Sequence, residues 1–334
     1  MVNPTISVVI AAFNVEAYIA ETMDSLLGQA FPAYEIIIVD DGSTDGTLAL
    51  IESRYQSIPF VTIYTQDNKG VGAVREKGFE LATGDYIFFC DPDDVVSPNL
   101  FLRLREAVRE NSSLELLYFS KRSFTQTAGS RAYQRRDTAP SREGWYAEGT
   151  ELLQDLILHK KYKATTWQYI FKKSMAERFN VTFKGRAHED QLFSMNIYLH
   201  ARDCFATKED LYFQRVRQGS LTNSLKDSYF VWTGYEAYQA VMAVLKPHLK
   251  RFSRSGEVSV KYMRGNIHLV IDRCIKSNVE LPPRMHSLTR KDARDCGVGL
   301  QGGMTLLAPR MVFAMRKCRS MLRQLSKRLR GRQL

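Results

Sequence analysis

Asp91, Asp93 and Asp94 stand within four positions, directly after the apolar run Tyr86-Ile87-Phe88-Phe89-Cys90. Carboxylates so close repel one another, and isolated buried charge is costly. The arrangement suits a positive partner. Hard divalent cations such as Mg2+ or Mn2+ take oxygen ligands, commonly one or two carboxylates plus substrate phosphates. The same three residues would also serve as a solvated turn before a helix beginning near Pro98, because aspartate is common in turns and caps. A second acidic group, Asp40-Asp41-Gly42-Ser43-Thr44-Asp45-Gly46, again follows an apolar run, Tyr34 to Val39. A third, His188-Glu189-Asp190, precedes Leu192, Phe193, Met195, Ile197, Tyr198 and Leu199, which predict a buried helix. On the residues alone, Glu189 and Asp190 suit the dipole and the cap at that helix start. The positive resource for a phosphate is Arg75, with Lys69 and Lys77 nearby, behind the glycine-rich helix start Asn68-Lys69-Gly70-Val71-Gly72.

These groups need elements to position them. Ile6 to Ala11 reads as a buried strand, followed by a helix from Glu16 to Leu27 with Ile19, Met23, Leu26 and Leu27 on one face. Tyr34 to Val39, Phe60 to Tyr64 and Tyr86 to Cys90 read as further strands. Helices are expected between them, through Tyr55 and through about Ala82, where Gly84 stops the second. Strand and helix alternate at short spacing, which predicts a mostly parallel sheet with helices on both faces. Three strand ends then meet at one crevice: Phe13-Asn14, Asp40-Asp41 and Asp91-Pro92-Asp93. Ligands bind at such a place in open α/β sheets. The standard dinucleotide fingerprint is absent, because Gly70-Val71-Gly72 continues to Arg75 where a third glycine belongs, and there is no Walker A sequence.

The chain has 334 residues, 44% hydrophobic and 25% charged, as in an ordinary globular protein with a sizeable core. Five scattered cysteines with no C-x-x-C pair suggest neither a zinc site nor a disulfide framework, and fit a reducing cytosol. Neither a signal peptide nor a membrane span is expected. The net charge of +11 is uneven. After Asp295 there is no acidic residue but nine basic ones; setting those nine aside leaves 38 basic against 36 acidic residues. A nucleic-acid-binding patch would lie on the folded body. Here the charge is confined to a tail, so no nucleic-acid partner is expected.

Taken together, these residues resemble glycosyltransferase family 2, with its GT-A fold. The resemblance rests on Ile6 to Asn14, Ile38-Val39-Asp40-Asp41-Gly42-Ser43-Thr44-Asp45, Asn68-Lys69-Gly70 with Arg75, and Gly84 to Asp94, in the family's order over residues 5–100. It implies an inverting, metal-dependent hexosyl- or N-acetylhexosaminyltransferase using a nucleotide-sugar, by expectation a UDP-sugar. Phe13 would pack on the nucleobase and Asp41 would bond the uracil edge. Asn68 and Arg75 would contact nucleotide and diphosphate. Asp91-Pro92-Asp93 would be the D-x-D element, with Asp91 near the ribose and Asp93 on Mn2+ or Mg2+. Family members carry Glu-Asp after a Trp-containing segment like Thr166-Trp167-Gln168-Tyr169, which makes Asp190 the implied catalytic base. Arg215-Val216-Arg217-Gln218-Gly219-Ser220 resembles the closing segment over the donor diphosphate, with Arg217 and Ser220 as contacts. This chain departs from the family at Glu76 and Lys77, where an aspartate or asparagine is usual. It also lacks the histidine that supplies a second metal ligand in some relatives, so Asp93 would stand alone.

The middle of the chain is less regular. Arg122 to Gly144 reads as a polar excursion or hairpin, Glu151 to His159 as a short helix, and Ala164 to Phe171 as β-rich. Tyr229 to about Ala293 reads as two or three helices. The expected organisation is a glycosyltransferase domain over 1–225, with a nucleotide half at 1–120 and an acceptor half at 121–225. A helical accessory region at 226–296, a linker at 297–303 and a basic amphipathic helix at 304–334 would follow. In that helix Met311, Met315, Cys318, Leu322, Leu325 and Leu329 recur at spacings of four and three. Apolar residues so spaced among arginines predict contact with an anionic membrane surface, or a docking seam. The resulting picture is a cytoplasmic enzyme on the inner face of the membrane. It would use a glycan or lipid-linked acceptor in capsule, lipopolysaccharide or exopolysaccharide synthesis. A nucleotide-sugar-binding protein without chemistry is the alternative; it would keep Asp41 and Asp93 and have no need of Asp190.

Overall fold

The structure is a computed structural model, and it describes residues 3–127, 130–134, 138–183, 187–217, 227–251, 255–295 and 304–330. The chain divides into two compact units, Met1–Ser220 and Leu221–Leu334. Ser220, Cys296 and the expected linker at 297–303 lie outside the described residues.

The first unit is built on one sheet. Its strands are β1 (Ile6–Ala12), β2 (Glu35–Asp40), β3 (Val61–Thr65), β4 (Tyr86–Cys90), β5 (Val95–Val96), β6 (Leu116–Thr127), β7 (Ser130–Tyr133), β8 (Gly144–Glu148), β9 (Tyr169–Lys172) and β10 (Arg202–Arg215). The order is β3-β2-β1-β4-β9-β6-β10-β5, with β7 added to β6 and β8 to β10. β3, β2, β1 and β4 are parallel neighbours. β9 then enters antiparallel to both β4 and β6, while β6 and β10 run parallel. Within the stretch Arg122 to Gly144, β6 and β7 pair antiparallel as in a hairpin. Of the β-rich stretch from Ala164, strand forms only over β9.

Alternation along the strands sends apolar side chains to two faces. Ile6, Val8, Ile10 and Ala12 of β1 join Phe88 of β4 in a core that also takes Ile19, Met23 and Leu26 of helix α1 (Ile19–Leu27), Ile51 of α2 (Thr47–Tyr55) and Phe101 and Leu104 of α4 (Leu100–Glu110). On the other face α3 (Val71–Leu81) packs on β1 and β2. Phe89 of β4 meets Phe171 of β9, and Phe193 of α7 (Glu189–His200) edge-on. Helices α5 (Gly149–Leu158) and α6 (Lys173–Arg178) complete this unit. α3 approaches β1 so closely that a Cβ on Gly78 would lie 2.2 Å from Val9 Cγ1.

The second unit is helical: α8 (Ser228–Leu245), a 3-10 turn at Lys246–Arg251, α9 (Ser255–Ser277), α10 (Met285–Asp295), α11 (Met304–Leu307) and α12 (Pro309–Arg330). The tail expected as one helix is broken before Pro309, which lacks a backbone N–H and suits the first helical position. α12 packs on α9, where Arg316 bonds Asp272 Oδ1 at 2.6 Å and donates to His268 Nδ1 at 2.7 Å. Among the described residues no helix is long and apolar enough to cross a membrane.

Candidate active site

Strand register assembles the site. Ala12 pairs with Asp40, and Ile10 with Cys90, so the carboxyl ends of β1, β2 and β4 finish at one rim. Phe13 leaves that rim 45% exposed, free to meet a flat ligand. Asp40 turns inward and accepts from Ser43 N at 3.1 Å and from the Ser43 hydroxyl. Asp41 is also buried. Its Oδ1 accepts from Lys69 N and Gln66 Nε2, both at 2.9 Å, and its Oδ2 accepts from Gly70 N at 2.8 Å. Asp41 therefore folds the Asn68-Lys69-Gly70 loop back onto the rim. Gly70, at φ 90°, makes the turn into α3 in a region that L side chains rarely adopt. Asn68 is exposed on that loop.

The acidic turn after β4 is fastened from several elements. Arg75 of α3 is 8% exposed. One end nitrogen bonds Asp91 Oδ1 at 2.9 Å and the other bonds Glu189 Oε1 at 2.7 Å. Asp94 accepts from the Tyr212 hydroxyl and from Arg215 N, both at 2.7 Å. The Tyr212 oxygen also accepts from Asp91 N at 3.3 Å, and its ring stacks on Trp167 with centroids 4.5 Å apart. Such a stack is worth about 0.5–1.5 kcal/mol beyond the area buried. Arg215 donates to the Asp93 carbonyl at 2.9 Å and to Glu21 at 2.5 Å, and Glu21 also pairs with Arg131 of β7. Arg217 donates from Nε to Asp93 Oδ2 at 2.7 Å. Burial and neighbouring carboxylates raise both Asp91 and Asp94 above the usual carboxylate range, even with Arg75 lowering Asp91.

Asp190 lies one residue beyond the Arg75–Glu189 pair, in the first turn of α7. Burial first, then the charges of Glu189 and Asp91, push its carboxyl up to about 7, with Arg75 opposing. The preceding His188 is held at φ 60°, in the left-handed region. That is unusual for a residue with a side chain, and such conformations persist only where the surroundings enforce them.

Phe13, Asp41, Asn68, Arg75, Asp91, Asp93, Asp190 and Arg217 all belong to this first unit, and hydrogen bonds or ion pairs join Arg75 to Asp91 and Arg217 to Asp93. Tyr212 and Glu21 were not singled out by the sequence, and Asp94, Arg215 and Glu189 stood in its patterns without an assigned partner. Glu189 carried a signal, since it adjoins Asp190, but its partner is 114 positions away. Among the described residues no cluster of three or more His, Cys, Asp or Glu side chains is arranged to hold a metal. Asp93 offers a single hard carboxylate. That donor set fits a cation arriving with a diphosphate and ligated mostly by phosphate oxygens and water.

A central sheet whose first four neighbouring strands are parallel, covered by helices and followed by a helical region, is the GT-A architecture. The sequence profile described as Glycosyl transferase family 2 matches residues 7–177. The chain belongs to that family. A Bacillus subtilis (strain 168) protein, EpsH, provisionally named a glycosyltransferase, is 28% identical over 254 residues, which is 75% of this chain and 72% of EpsH. The poly(ribitol-phosphate) beta-glucosyltransferase of Bacillus spizizenii is 31% identical over 220 residues, 64% of this chain but only 32% of that enzyme. In structure the chain is similar to S. aureus TarS residues 1–349 in complex with UDP-GlcNAc: TM-score 0.59 and 20% identity, over 91% of this chain and 90% of that one.

Proposed function

We propose that this protein is an inverting glycosyltransferase moving a hexosyl or N-acetylhexosaminyl group from a UDP-sugar to a hydroxyl of a glycan or lipid-linked acceptor. The setting is bacterial surface-polysaccharide assembly at the inner face of the membrane. The observation that carries the reading is the convergence of Asp91 and Glu189, the neighbours of Asp93 and Asp190, on one buried guanidinium. A donor-side carboxylate and a base-side helix thereby share one anchor. The likeness to a UDP-GlcNAc-binding structure and to a wall-polymer glucosyltransferase supports the donor and acceptor classes.

In this reading Phe13 packs on the uracil, the remaining acceptor capacity of Asp41 meets the base edge, and Asn68 contacts the nucleotide. Asp91 faces the ribose. Asp93 would hold Mn2+ or Mg2+, which supplies positive charge against the departing diphosphate. Asp190 takes the proton of the acceptor hydroxyl. That oxygen forms its bond to the anomeric carbon from the side opposite the diphosphate. The bond from that carbon to the phosphate oxygen breaks, and UDP leaves with the electron pair. Arg217 offsets the growing charge, with Arg75 behind Asp91. Helix α12 would hold the enzyme near a lipid-linked acceptor. Met311, Met315, Met321, Leu322 and Leu325 are 47–66% exposed on it, and every charged residue around them is basic.

The test is a panel of nucleotide sugars with Mn2+, scored by slow hydrolysis and thermal stabilisation. A UDP-sugar is expected to stand out. Asp93→Ala is expected to abolish transfer and most metal-dependent UDP affinity in calorimetry. Unchanged metal-dependent affinity in that variant would move the metal elsewhere, and stabilisation by another nucleotide class alone would overturn the donor.

A further inference from the structure

Two arginines reach the D-x-D turn from the end of β10, and their surroundings differ. Arg215 is fixed: its side chain is 5% exposed and bonded to the Asp93 carbonyl and to Glu21, and its backbone N–H is bonded to Asp94. Arg217 stands two residues on, beyond the end of β10. It is 28% exposed and its Nε holds Asp93 Oδ2 at 2.7 Å, with its guanidinium 4.9 Å from the centre of the Tyr18 ring. The only ion pair of Arg217 among the described residues is therefore to the carboxylate that would take the cation. A guanidinium and a divalent cation at one carboxylate repel each other. A partly exposed ion pair contributes at most about 1 kcal/mol, so it yields to a stronger competitor.

We propose that Arg217 is a gate on metal binding, occupying Asp93 until a donor diphosphate offers it a second anion. The proposal rests on the reading that Asp93 holds the metal. Cation and diphosphate then enter as a pair. The diphosphate draws Arg217 off Asp93, the cation takes the carboxylate, and the arginine is left on the phosphate side, where the leaving group gains charge. Cation alone must displace Arg217 without offering it a second anion. Binding of metal and of nucleotide is thereby coupled, and the coupling is reciprocal. Tyr18 offers a ring face that the guanidinium keeps company with throughout a short swing.

The experiment is titration of free Mn2+ by its electron paramagnetic resonance signal, with and without UDP, on the full chain and on Arg217→Gln and Asp93→Asn. The unsubstituted protein is expected to bind Mn2+ weakly alone and at least ~10-fold more tightly with UDP, a coupling of ordinary size. Arg217→Gln is expected to bind Mn2+ alone about 3-fold or more tightly than the parent, because a competing ion pair is gone, and to show a smaller gain from UDP. Unchanged or weaker binding of Mn2+ alone by Arg217→Gln overturns the gate. Asp93→Asn separates the two levels. If it abolishes Mn2+ binding while Arg217→Gln changes nothing, the gate fails and the metal site stands. If Asp93→Asn binds Mn2+ like the parent, the metal site itself is misplaced and the gate falls with it. Circular dichroism of both variants checks the fold; each replaces a partly exposed side chain.

Discussion

Asp190 carries two opposed demands. As a base it must be ionised, yet its surroundings favour the neutral form and hold its carboxyl at about 7. The kcat/KM profile is expected to fall with unit slope on the acid side of about pH 7, and Asp190→Asn is expected to lose about 10²–10⁴ in rate with UDP-sugar binding nearly intact. Activity within tenfold of the parent would remove Asp190 from that role. Stability moves the other way. A carboxyl raised from about 3.9 in the unfolded chain gives most to the fold when protonated, and that contribution is lost as pH rises towards 7. Asp190→Asn is therefore expected to be the more stable protein. Its advantage should grow between about pH 4 and 7, level off above, and reach a few kcal/mol, on the order of 4 at most. Denaturant melts at pH 5 and pH 8 measure this. A constant difference would mean that the native carboxyl is not displaced. Residue types and their spacing drew attention to Asp93; on the residues alone Asp190 reads as a helix cap, and its proposed role comes from the family resemblance. Arg75 was singled out as a phosphate contact, but spacing did not tell that its guanidinium faces two carboxylates inside the protein, one of them 114 positions away.

The nucleotide-side elements were legible for a physical reason: β1, β2 and β4 are short apolar runs buried on both faces, each ending in polar residues at one rim. The later elements were harder to read. Trp167 and Tyr212 meet face to face although 45 positions apart, and β9 enters antiparallel between strands that sequence order does not make neighbours. Helix α3 shows how one small residue sets the placement of a functional one. Gly78 lets α3 lie on Val9, and that depth puts Arg75 between Asp91 and Glu189. Gly78→Ala is expected to cost about 1–3 kcal/mol, as overpacking does in a dense core, and to lower kcat more than donor affinity as Arg75 shifts. A chemical melt together with steady-state kinetics reads both, and a variant as stable as the parent would show that Val9 yields without moving the helix.

Over the whole molecule, charge and apolar exposure gather at one end of the chain. The helix α12 is held on α9 through Arg316, yet presents Met311, Met315, Leu322 and Leu325 outward with no acidic residue in the segment. Each basic residue near an anionic surface contributes roughly 1 kcal/mol, so full-length protein is expected to float with anionic liposomes. A version ending at Gly303 should float less, and so should Met315→Glu with Leu322→Glu. Equal flotation of all three, or indifference to lipid charge, would exclude membrane contact by this face. The periodicity of this tail was plain in the sequence; its break at Pro309 and its seat on α9 depend on partners that periodicity does not name. Chain order has one more consequence, through β10. A ribosome releases β1 to β4, with Asp91, Asp93 and Asp94 at their rim, more than a hundred residues before Tyr212 and Arg215 emerge to fasten that turn. Domains form largely as units during synthesis, so the acidic rim is completed only once β10 has emerged. Only the last strand of the sheet fastens that rim, through Tyr212 and Arg215 on Asp94.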